Sequence, residues 1–127
     1  MKKSIQPKAA AAAIGPYSPA VKVGDLLMCS GQIAIDPTTG GLVVGDVVAQ
    51  TEQAMRNLSA LLEAADLNAN HVVKTTIFMT DLGDFAKVNE AYGKYFAASP
   101  PARSTVQVAA LPKGALVMIE AIAHTGA

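Results

Sequence analysis

The most constraining feature of the sequence is an apolar run near its end, Val117 to Ala123, which contains one charged residue, Glu120. A short run rich in β-branched residues predicts a buried strand. Because side chains alternate across a strand, Glu120 shares a face with Met118 and Ile122. A carboxylate in such surroundings must find a partner, reach water or stay protonated. Glu120 is therefore the first candidate for a functional residue.

A second charged side chain, Arg103, stands at the head of another predicted strand, Ser104 to Val108. Pro100-Pro101 ends whatever precedes it, and the turn residues Leu111 to Gly114 separate it from the run around Glu120. We expect these two strands to form a hairpin or to neighbour each other in one sheet. Arg103 and Glu120 would then either face one cleft or form a structural ion pair.

The N-terminal part of the chain predicts a loose leader over residues 1–13, followed by a rigid turn. In that turn, Gly15-Pro16-Tyr17-Ser18-Pro19, two prolines fix φ and restrict the directions in which Tyr17 is presented. Tyr17 either covers the edge of the core or points into a site. The strands Ala20 to Val23 and Leu26 to Ile33 follow, and Gly24-Asp25 between them predicts a tight hairpin.

In the second of these strands, alternation places Met28, Ser30 and Gln32 on one face, and Cys29 and Gly31 on the other. A glycine inside a strand often marks a bulge or a close approach of backbone to ligand. No histidine is placed in sequence to activate Ser30, so we do not interpret it as a nucleophile. Cys29 is expected to be a small core residue.

The middle of the chain predicts two helices and one strand between them, Val72 to Thr80. Asp46 is expected to cap a helix from Val47 to about Ala65, with Gln50 on its solvated side, and Asp84 to cap a helix from Phe85 to about Ala97. Helical spacing gives the second helix a buried stripe formed by Phe85, Asn89, Tyr92 and Phe96. The amide of Asn89 must be hydrogen-bonded there, either to tie down a loop or to shape a site beside Arg103.

This order of elements predicts an α+β fold in which the helices cover one face of a mixed sheet. Too little chain remains to cover the other face. Hydrophobic residues make up 51% of the 127 residues and charged residues only 16%. An uncovered apolar face predicts oligomerisation, with clefts between subunits.

The same composition excludes several classes of function. Ten basic and ten acidic residues cancel, and Trp is absent, which argues against a nucleic-acid-binding surface. One cysteine and two histidines far apart in sequence, His71 and His124, give no metal-ligand spacing. No segment reaches the ~20 apolar residues of a membrane helix. We expect a cytoplasmic protein with neither a metal nor a membrane association.

Seven short motifs, in this order, resemble the Rid (YjgF) family of reactive enamine/imine deaminases. They are Ile14-Gly15-Pro16-Tyr17-Ser18, Ser30-Gly31-Gln32-Ile33, Val73-Lys74-Thr75-Thr76, Val88-Asn89, Pro101-Ala102-Arg103, Ala110-Leu111-Pro112-Lys113 and Ile119-Glu120-Ala121. The resemblance runs from about Ala10 to Ala123, so residues 1–127 are interpreted as one Rid-like domain. It implies a chorismate-mutase-like α+β fold, assembled as a homotrimer with three inter-subunit clefts.

The resemblance also implies an activity: cofactor-independent hydrolysis of 2-aminoacrylate and related 2-imino acids to 2-keto acids and ammonia. By position, Arg103 resembles the arginine that holds the substrate carboxylate, and Glu120 the acid that positions or activates water. The implied substrate-binding positions are Tyr17, Ser30, Gly31, Asn89 and Thr105.

Two positions depart from the family pattern. Thr105 stands where some members carry cysteine, and Pro100 where many have an aromatic residue. The first departure argues against thiol-dependent chemistry, and the second changes the rim of the pocket.

Two other functions remain open on the sequence. One is a trimer that binds keto acids without turnover, or acts like a chaperone. The other is a ribonuclease or translation inhibitor, an activity attached to the family, against which zero net charge and the lack of a catalytic histidine pair argue.

Overall fold

The computed structural model describes residues 1–6 and 15–127 of the chain. The alanine run of the expected leader, and Ile14 of the first motif, lie outside the described residues. Part of the expected leader is a strand: β1, Lys3–Ile5, pairs antiparallel with β2, Ala20–Val23. No apolar run marks this strand in the sequence, and the prediction of a loose leader is wrong for these residues.

The remaining elements follow the predicted order. They are β3 (Leu26–Gln32), α1 (Val47–Ala64), β4 (Val72–Met79), α2 (Phe85–Gly93), β5 (Ala102–Gln107) and β6 (Val117–His124). The six strands form one mixed sheet in the order β1-β2-β3-β6-β4-β5, in which β4 and β5 are parallel and the other neighbours antiparallel. The prediction of a mixed α+β sheet is therefore confirmed.

One predicted pairing is wrong. The strand that carries Arg103, β5, and the strand that carries Glu120, β6, lie in the same sheet but do not neighbour each other. β4 lies between them and pairs with both. Residues 108–116 therefore carry the chain past β4 to its other side, and the turn at Leu111 to Gly114 does not close a hairpin.

Both helices pack on one face of the sheet and enclose a core with alternate residues of the strands. Leu58 and Leu61 of α1, Val88 of α2, and Ile77 and Ile119 of the central strands are almost completely buried. The opposite face carries no helix. Its half-buried or exposed residues include Val21, Val23, Leu26, Met28, Phe78, Val106, Met118 and Ile122.

Helix α1 begins as predicted, because the side chain of Asp46 accepts a hydrogen bond from the backbone N–H of Ala49 at 3.0 Å. Gln50, expected on the solvated side, is buried, and its side-chain oxygen accepts a hydrogen bond from the N–H of Leu116 at 2.8 Å. The buried backbone donor before β6 needs an acceptor, and Gln50 provides it.

Helix α2 is shorter than predicted and begins differently. It ends at Gly93, and Asp84 makes no capping hydrogen bond through its side chain. Instead Asp81 accepts from the N–H of Gly83 and caps the short 3₁₀ turn that leads into α2. In the described chain, residues 1–6 and 15–127, no helix is both long and apolar enough to span a bilayer.

Asn57 of α1 ties this helix to the chain beyond β3. Its side chain, 1% exposed, donates to the carbonyls of Ile33 and Ile35 at 3.2 and 2.8 Å. We expect Asn57→Ala to lower the free energy of unfolding by about 2–4 kcal/mol, because two buried acceptors lose their donor. Urea unfolding at fixed protein concentration measures this loss.

Glu63→Ala, an exposed change in the same helix, is the matched control and should stay within about 0.5 kcal/mol of the unmodified protein. Equal effects of the two substitutions would show that the Asn57 hydrogen bonds contribute nothing to stability.

Candidate functional site

Arg103 lies near the start of β5, the edge strand of the sheet, on the face that the helices cover. In the parallel ladder it stands opposite Thr75, which is fully buried beneath the helices. Its guanidinium carbon lies 5.5 Å from the ring centre of Phe85 and 5.2 Å from that of Tyr92, both on α2. These distances fall within the range of cation–π interactions.

The guanidinium has no anionic partner within residues 1–6 and 15–127. No carboxylate there comes within ion-pair distance of it, and the one ion pair found joins Lys87 to Asp84 near the start of α2. No acceptor in this part of the chain takes a hydrogen bond from Arg103 either. A half-buried guanidinium in this state keeps its planar fork available for a carboxylate.

Two other predicted site residues lie on the Arg103 side of the sheet. Thr105 follows Arg103 on the same face, opposite Ile77, and its hydroxyl oxygen is buried with no hydrogen-bond partner in the described residues. Asn89 is half-buried on α2, on the side that carries Phe85 and Tyr92, since these positions follow helical spacing. The expected hydrogen bond of the Asn89 amide is not found within the described chain. We call Arg103, Thr105, Asn89, Phe85 and Tyr92 the arginine group.

Glu120 lies on the opposite face of the sheet, which no helix covers. As predicted, Met118 and Ile122 share that face and are half-buried, while Glu120 itself is exposed. On one side it pairs with Thr76 of β4, whose hydroxyl accepts a hydrogen bond from Lys74 at 3.4 Å. Of the three fates open to a carboxylate on an apolar strand, Glu120 in the isolated chain therefore reaches water.

On its other side, Glu120 faces a β-bulge. Cys29 pairs with Ala121 and Gln32 with Ile119, so Ser30 and Gly31 together stand opposite the single residue Glu120. The glycine in this strand thus marks a bulge, as its residue type predicts. A Cβ on Gly31 would lie 2.5 Å from the Met118 sulfur, which shows that the missing side chain leaves room for Met118.

The bulge also corrects a predicted face. Simple alternation placed Gln32 with Met28 and Ser30, and Gly31 with Cys29. The extra residue reverses the alternation, so Gln32 is buried opposite Ile119 and Gly31 faces Met118.

Tyr17 is brought to this bulge by its turn. The Ser30 hydroxyl donates to the carbonyl of Ser18 at 2.7 Å, and the Ser30 N–H donates to the carbonyl of Pro19 at 2.9 Å. The Tyr17 side chain is 51% exposed, so it does not cover the core edge within one chain. We call Glu120, Ser30, Gly31 and Tyr17 the glutamate group.

The seven predicted site residues therefore fall into two groups separated by the sheet. Arg103 lies on its helix-covered face and Glu120 on its uncovered face. Within one chain they neither face one cleft nor form an ion pair. The cleft between subunits that the family resemblance implies stays a prediction.

Other side chains that could react or bind a metal lie outside the arginine group and the glutamate group. Cys29 is buried, and burial raises the pKa of its thiol to about 12, so it stays protonated at neutral pH. His71 and His124 are brought to the same end of the sheet, but the Nδ1 atom of each accepts a local backbone N–H. Within residues 1–6 and 15–127, no three His, Cys, Asp or Glu side chains cluster as metal ligands would.

Sequence reasoning missed the two aromatic residues of the arginine group. Phe85 and Tyr92 were assigned to a buried stripe, yet Phe85 is 40% exposed and both rings face the guanidinium. Two aromatic residues seven positions apart on one helix face were the available signal. The sequence could not show that an arginine of another element would lie against them.

Comparisons with known proteins identify the family and the fold of the chain. A family model described as endoribonuclease L-PSP matches residues 7–125. Protein DfrA of Myxococcus xanthus is 58% identical over 124 residues, covering 96% of this chain and 95% of that protein. A mouse protein named 2-iminobutanoate/2-iminopropanoate deaminase is 51% identical over 126 residues, covering 99% and 93%.

Among solved structures, YyfA of Yersinia pestis, described as a member of the conserved Rid protein family, superposes with a TM-score of 0.95. It is 49% identical, and the match covers 98% of this chain and 99% of that one. The fold of the described residues is therefore that of Rid proteins.

The contact between Gly31 and Met118 generates a prediction about the glutamate group. We expect Gly31→Ala to destabilise the protein by about 1–3 kcal/mol, because the new methyl group displaces the Met118 side chain. In a Met118→Ala background the same change should cost less than about 1 kcal/mol, which a double-mutant cycle of thermal unfolding measures.

Gly93→Ala is the control, since no atom beyond its chain neighbours and the backbone of its own helix lies within 4 Å of the position of its Cβ. If Gly31→Ala lowers the free energy of unfolding equally in the unmodified and the Met118→Ala backgrounds, the steric explanation is contradicted.

Proposed function

Since the chain belongs to the Rid (YjgF) family, we propose that it hydrolyses 2-imino acids, including 2-iminobutanoate and 2-iminopropanoate, to 2-keto acids and ammonia. The enamine 2-aminoacrylate is a tautomer of 2-iminopropanoate and enters the same reaction. The single observation that carries the proposal is the state of Arg103: its guanidinium is held over two rings and has no carboxylate partner in the described chain.

Arg103 supplies the recognition step. A 2-imino acid carries a carboxylate directly beside its C=N carbon, and a guanidinium binds such a carboxylate through two parallel hydrogen bonds. Bidentate binding fixes the plane of the conjugated acid, and hence the face from which water attacks. The Thr105 hydroxyl, on the same face of β5, is buried without a hydrogen-bond partner in the described residues, so it becomes a second donor to the substrate only if its side chain turns toward the cleft.

Glu120 supplies the water. Its carboxylate orients a water molecule and accepts a proton as the oxygen adds to the imine carbon. The C=N double bond becomes a C–N single bond and the nitrogen takes up a proton, which gives a carbinolamine. The hydroxyl of this adduct then gives its proton to the Glu120 carboxylate as the carbonyl forms, the nitrogen takes up a second proton, and the C–N bond breaks. Ammonia and the keto acid leave. The protonated Glu120, water or Tyr17 donates the proton that ammonia carries away.

This chemistry requires both groups at one site, and the sheet separates them within a chain. A cleft that contains both is formed when the arginine group of one protomer meets the glutamate group of another. The uncovered sheet face supplies a reason to associate, since it exposes Met28 and Val106 at 38% and 41%. We propose the homotrimer implied by the family resemblance, with each catalytic cleft between two protomers.

A non-catalytic keto-acid binder would use the same arginine and differs only in turnover. A ribonuclease, the activity named in the description of the family model, would need a surface that attracts RNA. The formal net charge of zero provides no such field. Both alternatives are outcomes of the experiment below.

The experiment couples the purified protein to a serine or threonine dehydratase and follows disappearance of the imine. We expect Arg103→Ala to lower kcat/KM about a hundredfold, because two charge-assisted hydrogen bonds to the carboxylate are lost. Glu120→Gln should lower kcat by about a hundredfold or more, because the amide cannot accept the proton from water. Arg56→Ala, an exposed arginine on α1, is the matched control and should leave both constants unchanged.

Imine loss equal to that without protein, combined with keto-acid binding that needs Arg103, would identify a binder. RNA cleavage that survives purification and vanishes in Glu120→Ala would identify a nuclease. Full turnover by the Arg103→Ala variant would show that Arg103 does not bind the substrate carboxylate, and would contradict the proposal.

A further inference from the structure

Phe85 and Tyr92 do more than bury apolar surface, because both rings lie against the Arg103 guanidinium. We propose that Tyr92 and Phe85 are positioning residues that hold the Arg103 guanidinium in the orientation that receives the substrate carboxylate. This inference rests on the proposed function and assigns a specific role to two residues of helix α2.

Tyr92 is fixed before any substrate arrives. It is 5% exposed, and its hydroxyl lies 2.7 Å from the hydroxyl of Thr75, which is fully buried. The ring of Phe96 packs against it with 4.8 Å between ring centres and 43° between planes. A side chain with a hydrogen bond at its tip and a ring against its body has little freedom left.

Thr75 connects this fixed ring to the arginine. It is the residue directly opposite Arg103 in the β4–β5 ladder. The strand position that holds the Arg103 backbone therefore also anchors the Tyr92 hydroxyl. Each of the three residues Thr75, Tyr92 and Arg103 is therefore linked to the other two. A shift of the Tyr92 ring would also shift the Arg103 guanidinium.

Phe85 stands two helical turns before Tyr92, and its ring lies 5.5 Å from the guanidinium carbon, against 5.2 Å for Tyr92. Phe85 is 40% exposed where Tyr92 is buried. The guanidinium therefore contacts one inner and one outer ring, and neither ring competes for its N–H donors. An ion pair would also fix the side chain, but it would occupy the fork that the substrate needs.

The Tyr92 hydroxyl also does not act as a competing anion for the Arg103 guanidinium. Burial raises the pKa of the Tyr92 hydroxyl, while the hydrogen bond to Thr75 and the charge of Arg103 lower it, and the net direction is upward. The phenol stays neutral at physiological pH, so no phenolate pairs with the guanidinium.

Preorganisation of this kind affects binding more than chemistry. The carboxylate is held equally in the ground state and the transition state, so loss of orientation raises KM and leaves kcat nearly unchanged. A flexible arginine must also lose rotamer freedom when substrate binds, which weakens affinity. The expected signature is therefore a KM effect with little change in kcat.

The test compares Tyr92→Leu, Tyr92→Phe and Tyr95→Leu. Tyr95 follows α2 and packs half-buried against the core, and in the described residues its ring makes no cation–π contact with Arg103, so it is the control for losing a tyrosine ring. Turnover of 2-iminobutanoate and calorimetric binding of 2-ketobutyrate are measured on oligomers of unchanged size. We expect Tyr92→Leu to raise KM and Kd about tenfold with kcat within about threefold. Tyr92→Phe keeps the ring but loses the hydrogen bond to Thr75, so its KM and Kd should rise by less, about threefold. Tyr95→Leu should stay near the unmodified protein.

NMR relaxation of the Arg103 Nε–H group in ligand-free protein gives a readout that does not depend on the reaction. Tyr92→Leu should increase the mobility of this group, and Tyr92→Phe, which keeps the ring, should increase it less. If Tyr92→Leu does not fold, Phe85→Leu at the exposed ring tests the same role, with a KM increase of about threefold expected.

Lower thermal stability of Tyr92→Leu with unchanged Kd and unchanged Arg103 mobility would overturn the inference and leave the proposed function standing. Failure of the unmodified protein to speed the loss of 2-iminobutanoate would overturn the proposed function. The relaxation measurement would then test only whether Tyr92 holds the Arg103 guanidinium.

Discussion

The constraint on which the rest depends is the alternation of side chains across a β-sheet. Because Arg103 stands opposite Thr75 and Glu120 opposite Thr76, adjacent residues of β4 send them to opposite faces. No rotamer change within one chain removes a sheet from between them. The chemistry that we propose for this family member needs both groups at one substrate, so the proposal requires a second copy of the chain. In that proposal, association of protomers completes the catalytic site and also covers apolar surface.

Each face of the sheet prepares its own half of the reaction. On the covered face, helix α2 presents Phe85 and Tyr92 to the guanidinium, which stays without a carboxylate partner in the described chain. On the uncovered face, the bulge at Ser30-Gly31 widens the strand opposite Glu120 and draws the Tyr17 turn to it. In the proposed reaction, the first group binds the substrate carboxylate and the second holds water beside Glu120. The two tasks need different surroundings, apolar rings for the first and exposure for the second.

Much of this could be predicted from the sequence, for identifiable reasons. Helix α1 was predicted within one residue because Asp46 is a strong N-cap, and the face of Glu120 followed from strict alternation in β6. Features that depend on contacts with distant parts of the chain were not predictable. Nothing between Gln107 and Val117 indicates that the chain crosses β4, and the burial of Gln50 and Asn57 depends on which distant backbone groups lack partners. The face of Gln32 was wrong because one bulge reverses alternation beyond it.

The most direct test of a composite site is to mix two inactive variants. Arg103→Ala and Glu120→Gln chains, co-refolded in equal amounts, place an intact Arg103 and an intact Glu120 across some interfaces, although no single chain has both. Random assembly should restore about a quarter of the turnover of the unmodified protein, because a given interface draws the right variant on each side about half the time. Recovery of that size, with each variant alone inactive, is the predicted result. No recovery in oligomers shown to contain both chains would contradict the account.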